Sequence, residues 1–157
     1  MNGKIVAGFI VVTALLAGIG LYYVQEYAYY APVEPASAAA EIRLTALSGA
    51  VEPVPTDGFE GIDSDSSPLR FRACFKVPMS LALMSETYAD YPGAEPLIGP
   101  RQFPCFDAER IGADLQSGAA LAFLAEKNIH PGVDRVVAVY ADGQAFAWHE
   151  LNETAEK

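Results

Sequence analysis

Two cysteines, two histidines and twenty carboxylates are the side chains through which this 157-residue sequence could do chemistry. Cys74 and Cys105 are expected to pair, because two thiols in an oxidising compartment usually form a disulfide. Closing a loop of about 30 residues contributes on the order of 3 to 4 kcal/mol to a small domain. The competing chemistry gathers Cys74, Cys105, Met79 and Met84 as soft ligands for copper(I), an ion that thiolate and thioether favour. It lacks the close CxC or CxxxC spacing that holds a metal without help from the fold, so no metal and no cofactor are assigned. His130 lies in the turn Asn128-Ile129-His130-Pro131-Gly132, and His149 follows Trp148. Neither a GxSxG elbow nor an HExxH motif accompanies them, and His149 reads as a structural residue at a strand end. No catalytic residue is therefore named. The carboxylates read mainly as a solvated surface, with Asp57, Glu60, Asp63 and Asp65 as the densest run and a candidate docking patch.

The elements that must position these groups begin with a membrane segment. Ile5 to Val24 contains no charged residue, and twenty residues at about 1.5 Å each cover roughly 30 Å, the thickness of a bilayer's hydrocarbon core. A cleaved signal peptide has a shorter apolar core, about 7 to 15 residues, with its cleavage site close behind. Here the small residues Ala36 and Ala38 to Ala40 lie well beyond the apolar run. An uncleaved transmembrane helix over residues 5–27 is expected, after a cytoplasmic tail of residues 1–4. Lys4 precedes the helix whereas Glu26, Glu34 and Glu41 follow it, which places the N-terminus inside and the remainder outside. Tyr22, Tyr23, Tyr27, Tyr29 and Tyr30 are expected as an aromatic belt at the outer boundary. Ala14 and Gly18 have the four-residue spacing that lets helix backbones approach, so this face is expected to pack on a partner span.

Residues 28–41, with Pro32, Pro35 and an alanine run, read as a semi-rigid linker. Residues 42–157 read as a small α+β domain of about four strands and two or three helices. The alternation Ile42, Leu44, Ala46 predicts a strand over 42–47, and Gly49 to Pro68 reads as an acidic loop. Leu69 to Val77 reads as a second strand, with Phe71, Ala73 and Phe75 on one face and Arg70, Arg72, Cys74 and Lys76 on the other. Pro78 opens a short helix to Tyr88 carrying Leu81, Leu83 and Met84. Asp107 caps a helix over 108–116, and Leu121, Phe123 and Leu124 predict another over Ala119 to Asn128. Asp142-Gly143 marks a C-terminal β-hairpin, in which a two-residue turn sets Val137 opposite Trp148, Val139 opposite Phe146 and Arg135 opposite Glu150.

Three stretches carry a resemblance: Ser67-Pro68-Leu69-Arg70-Phe71-Arg72-Ala73-Cys74-Phe75, Pro104-Cys105-Phe106-Asp107-Ala108-Glu109, and Gly132-Val133-Asp134-Arg135-Val136-Val137-Ala138-Val139-Tyr140 with Ala147-Trp148-His149. Together they resemble an uncharacterised alphaproteobacterial family of single-span proteins built on a domain of unknown function. The resemblance extends over nearly the whole chain, including Gly3-Lys4-Ile5 and the Tyr-rich end of the helix. It implies the bacterial inner membrane, with the outer domain in the periplasm. It implies no activity, because none is attached to that family.

Charge narrows the function further. A net charge of -10 argues against nucleic acid as a partner, since phosphate recognition needs a surplus of Lys and Arg. Beyond Val24 the chain carries nine basic against twenty acidic residues. The expected function is a non-catalytic accessory or assembly subunit of an inner-membrane respiratory complex, with cytochrome c oxidase the best fit. Its partners would be integral-membrane subunits, the lipid bilayer and a cationic c-type cytochrome drawn in by the acidic field. Two alternatives stay open, a periplasmic copper chaperone or thiol-redox protein using Cys74 and Cys105, and a self-associating membrane scaffold or sensor.

Overall fold

In the computed structural model, which describes residues 2–155, the chain starts with helix α1, Gly3–Tyr23. The Asn2 side chain caps it by accepting the Lys4 N–H. A wider helical turn, Val24–Ala28, extends it to 26 residues, or about 39 Å. Two residues of the expected tail, Gly3 and Lys4, are thus already helical. No side chain of α1 is buried against the protein. Thr13, its one hydroxyl before the tyrosines, donates to the Phe9 carbonyl at 2.8 Å and so asks nothing of the surroundings. The helix is long and apolar enough to cross a bilayer.

The remainder holds β1 (Ala31–Pro32), β2 (Arg43–Thr45), β3 (Val51–Pro53), β4 (Asp57–Asp63), β5 (Arg72–Lys76), α2 (Leu81–Thr87), α3 (Ala108–Ser117), β6 (Ala120–His130), β7 (Val133–Tyr140) and β8 (Gln144–Leu151). Six strands form one antiparallel sheet in the order β1-β4-β5-β8-β7-β6, and β2 pairs with β3 apart from it. Both faces of the sheet are covered. Against one, β2 and α2 pack Leu44, Met84 and Tyr88 onto Phe71, Phe75, Val137 and Val139. Against the other, α3 and the preceding loop pack Ile111, Phe103 and Phe106 onto Val136, Phe146 and Trp148. A doubly covered sheet needs apolar residues on both faces of its central strands, which is why β7 and β8 read as nearly unbroken apolar runs. The α+β class, the apolar N-terminal helix and the C-terminal hairpin all stand.

Several sequence readings need correction. Eight strands replace the expected four: the acidic stretch 49–68 is not a loop but holds β3 and β4, β1 lies in the expected linker, and β6 stands where a helix was expected. Its Gly and Asp residues are poor strand formers; pairing with β5 overrides that preference, and Phe59 of β4 stacks on Phe75 of β5. The helix expected over 119–128 is β6. Good helix formers fill it, but Gly118 ends α3 in the left-handed conformation (φ 78°) and turns the chain into register with β7. The hairpin is displaced by one residue. Gly143 donates to the Tyr140 carbonyl at 3.0 Å and takes φ 84°, which makes a three-residue loop with a glycine bulge. Val137 therefore faces Ala147, Val139 faces Ala145 and Arg135 faces His149. The helix expected from Pro78 begins later, capped by Ser80, and of its three apolar residues only Met84 is fully buried. Residues 28–41 are not a free stalk. β1 pairs with β4, Val33 donates to the Gly61 carbonyl at 2.8 Å, and Ala40 is buried. Residues 156–157 of the expected domain lie outside the described residues.

Candidate functional site at the base of the domain

Two ties join the end of the apolar helix to the domain. The Glu26 carboxylate accepts the Arg101 N–H at 2.9 Å. The Arg70 guanidinium lies 5.3 Å from the Tyr29 ring and 5.4 Å from the Tyr30 ring, cation–π distances worth about 0.5 to 2 kcal/mol each. One Arg70 nitrogen is buried without a hydrogen-bond partner among the described residues, so the ring faces are what receive its charge. The expected tyrosine belt is thereby split. Tyr22 and Tyr23 pack on Tyr27 at the exposed helix end, whereas Tyr29, the residue that closes the helix, and Tyr30 after it turn onto the domain, Tyr30 against its second core.

The segment 95–105 that reaches Glu26 is fixed from inside. Arg72 lies on the strand face expected to carry the basic residues, but α3 and its preceding loop cover that face, and the Arg72 guanidinium is buried. It donates to the carbonyls of Leu97 at 2.8 Å and Ile98 at 3.2 Å, and to those of Leu69 and Phe71. Four carbonyls and the Phe106 ring, 5.5 Å away, take the place of a carboxylate partner. Burial lowers the Arg72 pKa to about 10, so the cation persists at neutral pH. Upstream, Glu150 accepts the Glu95 N–H at 3.0 Å and the Trp148 indole N–H at 2.7 Å. Downstream, Cys105 is disulfide-bonded to Cys74, as expected, across 31 residues. The bond therefore joins β5 to the end of this loop, just before α3.

A second buried cation lies on the other sheet face. Arg135 sits 4.0 Å from the Phe71 ring centroid, and Phe71 stacks on His149 at 4.8 Å. The Arg135 Nε–H donates to His149 Nε2 at 3.0 Å, and His149 Nδ1 lies 2.6 Å from the Pro68 carbonyl. Since guanidinium only donates and a carbonyl only accepts, the imidazole is neutral with its proton on Nδ1. Burial first, and then the Arg135 charge, pushes the His149 pKa down to about 3. With both nitrogens engaged and the ring buried, His149 is a structural wedge with no base to offer a substrate. An Arg inside the largely apolar run Val133 to Tyr140 is the sequence signal for this stack.

The acidic residues do not converge. Asp57, Glu60 and Asp63 are strung along β4, six residues or about 20 Å from first to last, and Asp65 follows in the turn. Asp57 stands opposite Lys76, and Asp63 is half-buried, its pKa raised by burial. No His, Cys, Asp or Glu group that could hold a metal ion occurs among the described residues. Met84 is fully buried in the first core, away from the solvent that a copper exchange needs. Ala14 and Gly18 face outward on α1, and no described residue of the domain packs on them. An apolar groove of about 550 Å³ opens at the outer edge of β6, lined by Leu47, Tyr88, Tyr91, Leu115, Leu121 and Phe123.

Residues 42–157 match a family of unknown function, DUF6446. The chain belongs to that family. The match begins one residue before β2, at Ile42 in the first core, and takes in both cysteines, both buried arginines and His149. No curated protein and no solved structure matches the chain. Membership in DUF6446 thus brings a shared domain and no activity with it.

Proposed function

We propose that the protein is a non-catalytic accessory or assembly subunit of a respiratory complex of the bacterial inner membrane, cytochrome c oxidase being the complex this reading favours. One span crosses with its N-terminus in the cytoplasm, and the DUF6446 domain stands in the periplasm. The observation that carries the reading is the pair of ties at the base, Glu26 to Arg101 and Arg70 to Tyr29 and Tyr30. A domain on a loose tether samples many heights above a membrane, whereas one tied to its helix presents a fixed surface. Fixed height suits a part that completes a larger assembly. The acidic field beyond the helix would speed the approach of a cationic c-type cytochrome.

Deleting the gene tests this. Membranes of the deletion strain are expected to lose cytochrome c oxidase activity while the dehydrogenase activities of the same membranes hold. Unchanged oxidase activity and haem content would overturn the assignment to that complex.

A further inference from the structure

We propose that the loop tip Ile98–Arg101 is a second membrane contact, with Ile98 seated in the lipid interface and the Arg101 cation among anionic headgroups. The proposal rests on reading α1 as a membrane span.

Ile98 is 80% exposed, the most exposed large apolar side chain among the described residues, α1 included. A lone exposed apolar residue means little by itself. Its position is what carries the inference. The Arg101 N–H reaches the Glu26 carboxylate at 2.9 Å, on the last turn of the apolar helix and next to Tyr27. Three peptide units separate Arg101 from Ile98, so their Cα atoms lie within about 11 Å of one another. A tyrosine cluster at the helix end marks the boundary between acyl chains and headgroups. Ile98 therefore lies within reach of the layer in which interfacial apolar residues settle, about 5 to 10 Å deep.

The loop is also rigid. Arg72 holds the carbonyls of Leu97 and Ile98, Glu150 holds the Glu95 N–H, Phe103 donates to the Pro100 carbonyl at 3.0 Å, and the disulfide fixes Cys105. Ile98 cannot fold back onto the domain without breaking these bonds. The exposed Arg101 side chain follows at three residues, and a cation beside an apolar residue is the pairing that interfacial anchors use. In a domain with twice as many acidic as basic residues, this places positive charge where an anionic bilayer would otherwise repel it.

The test uses the full chain reconstituted in vesicles of phosphatidylethanolamine and phosphatidylglycerol whose acyl chains carry bromine, a contact quencher. Trp148 is the protein's only tryptophan and is fully buried, so it supplies a constant background. Ile98→Trp should add a blue-shifted emission of which about half is quenched by the brominated lipid. Leu121→Trp, on the sheet edge opposite β1, should stay unquenched. Arg101→Glu in the Ile98→Trp background should reduce the quenching, and more so as phosphatidylglycerol is raised. Carbonate extraction reports on α1 separately. An inserted chain with unquenched Ile98→Trp overturns the contact and leaves the span intact. Shielding that occurs only in native membranes, through a cross-link from residue 98 to a protein, overturns lipid in favour of a partner subunit. A chain that carbonate extracts overturns the span and this contact with it.

Discussion

At the residue scale, the domain buries Arg72, Arg135 and His149 away from solvent and satisfies them largely with carbonyls and rings. His149 gives this a pH signature. An imidazole in the unfolded chain titrates near 6.5, but the folded one near 3, so between those values the unfolded state binds a proton that the folded state refuses. Stability tied to neutral His149 is complete above pH 6.5 and falls as the pH drops toward 3. Asp63 and Glu150, whose pKa values burial raises, act in the opposite sense, since their folded forms hold a proton more tightly. The comparison is therefore made against His149→Gln, which keeps an acceptor for Arg135 and a donor for Pro68. Denaturant melts at pH 7 and pH 4.5 should show the wild type losing on the order of 2 kcal/mol more than the variant. Equal losses would mean that another group senses the acid.

At the element scale, β8 is the pivot, flanked by β5 and β7 and carrying Phe146, Trp148 and His149. Its register depends on Gly143. A Cβ added there would meet the Val77 carbonyl oxygen at 2.8 Å, and the positive φ is itself unfavourable for alanine. Gly143→Ala should cost about 1 to 3 kcal/mol in chemical denaturation, while Gly93→Ala, in open space at a similar φ, should cost less. The hairpin, α3 with its Asp107 cap and the disulfide were legible because each has a local signature: a turn dipeptide, a capping side chain, a lone pair of thiols. What was not legible depends on distant partners. Ala120 to Leu124 is a good helix by propensity and becomes a strand through β7, and the Asp57 to Asp63 stretch, poor by any local scale, becomes one through β5. The burial of the arginines depends on distant partners too: periodicity places Arg72 on the face opposite Phe71 but does not show that α3 and its loop cover that face. The disulfide and its compartment can be checked together. A membrane-impermeant thiol reagent applied to the periplasmic side should label Cys74 and Cys105 only after reduction; labelling without reductant would contradict the bond, and labelling only after lysis would contradict the topology.

At the scale of the whole molecule, an apolar helix whose side chains pack on none of the described residues of the domain before its last turn carries a domain that is tied to its end and built around two buried cations. On the proposed span, the small residues Ala14 and Gly18 offer a face on which another helix can pack closely. No described residue of the domain packs on that face, so a change there should leave folding and insertion intact. Gly18→Leu adds an apolar side chain that keeps two backbones apart and should weaken assembly alone. Purification of the tagged full chain from native membranes in mild detergent, with its companions identified by mass spectrometry, is the most direct measurement. The wild type is expected to elute with cytochrome c oxidase subunits in a fixed ratio, and Gly18→Leu with several-fold fewer of them. A wild-type protein that elutes alone, or with the same companions at the same yield after Gly18→Leu, would contradict an accessory subunit held in its complex by this helix.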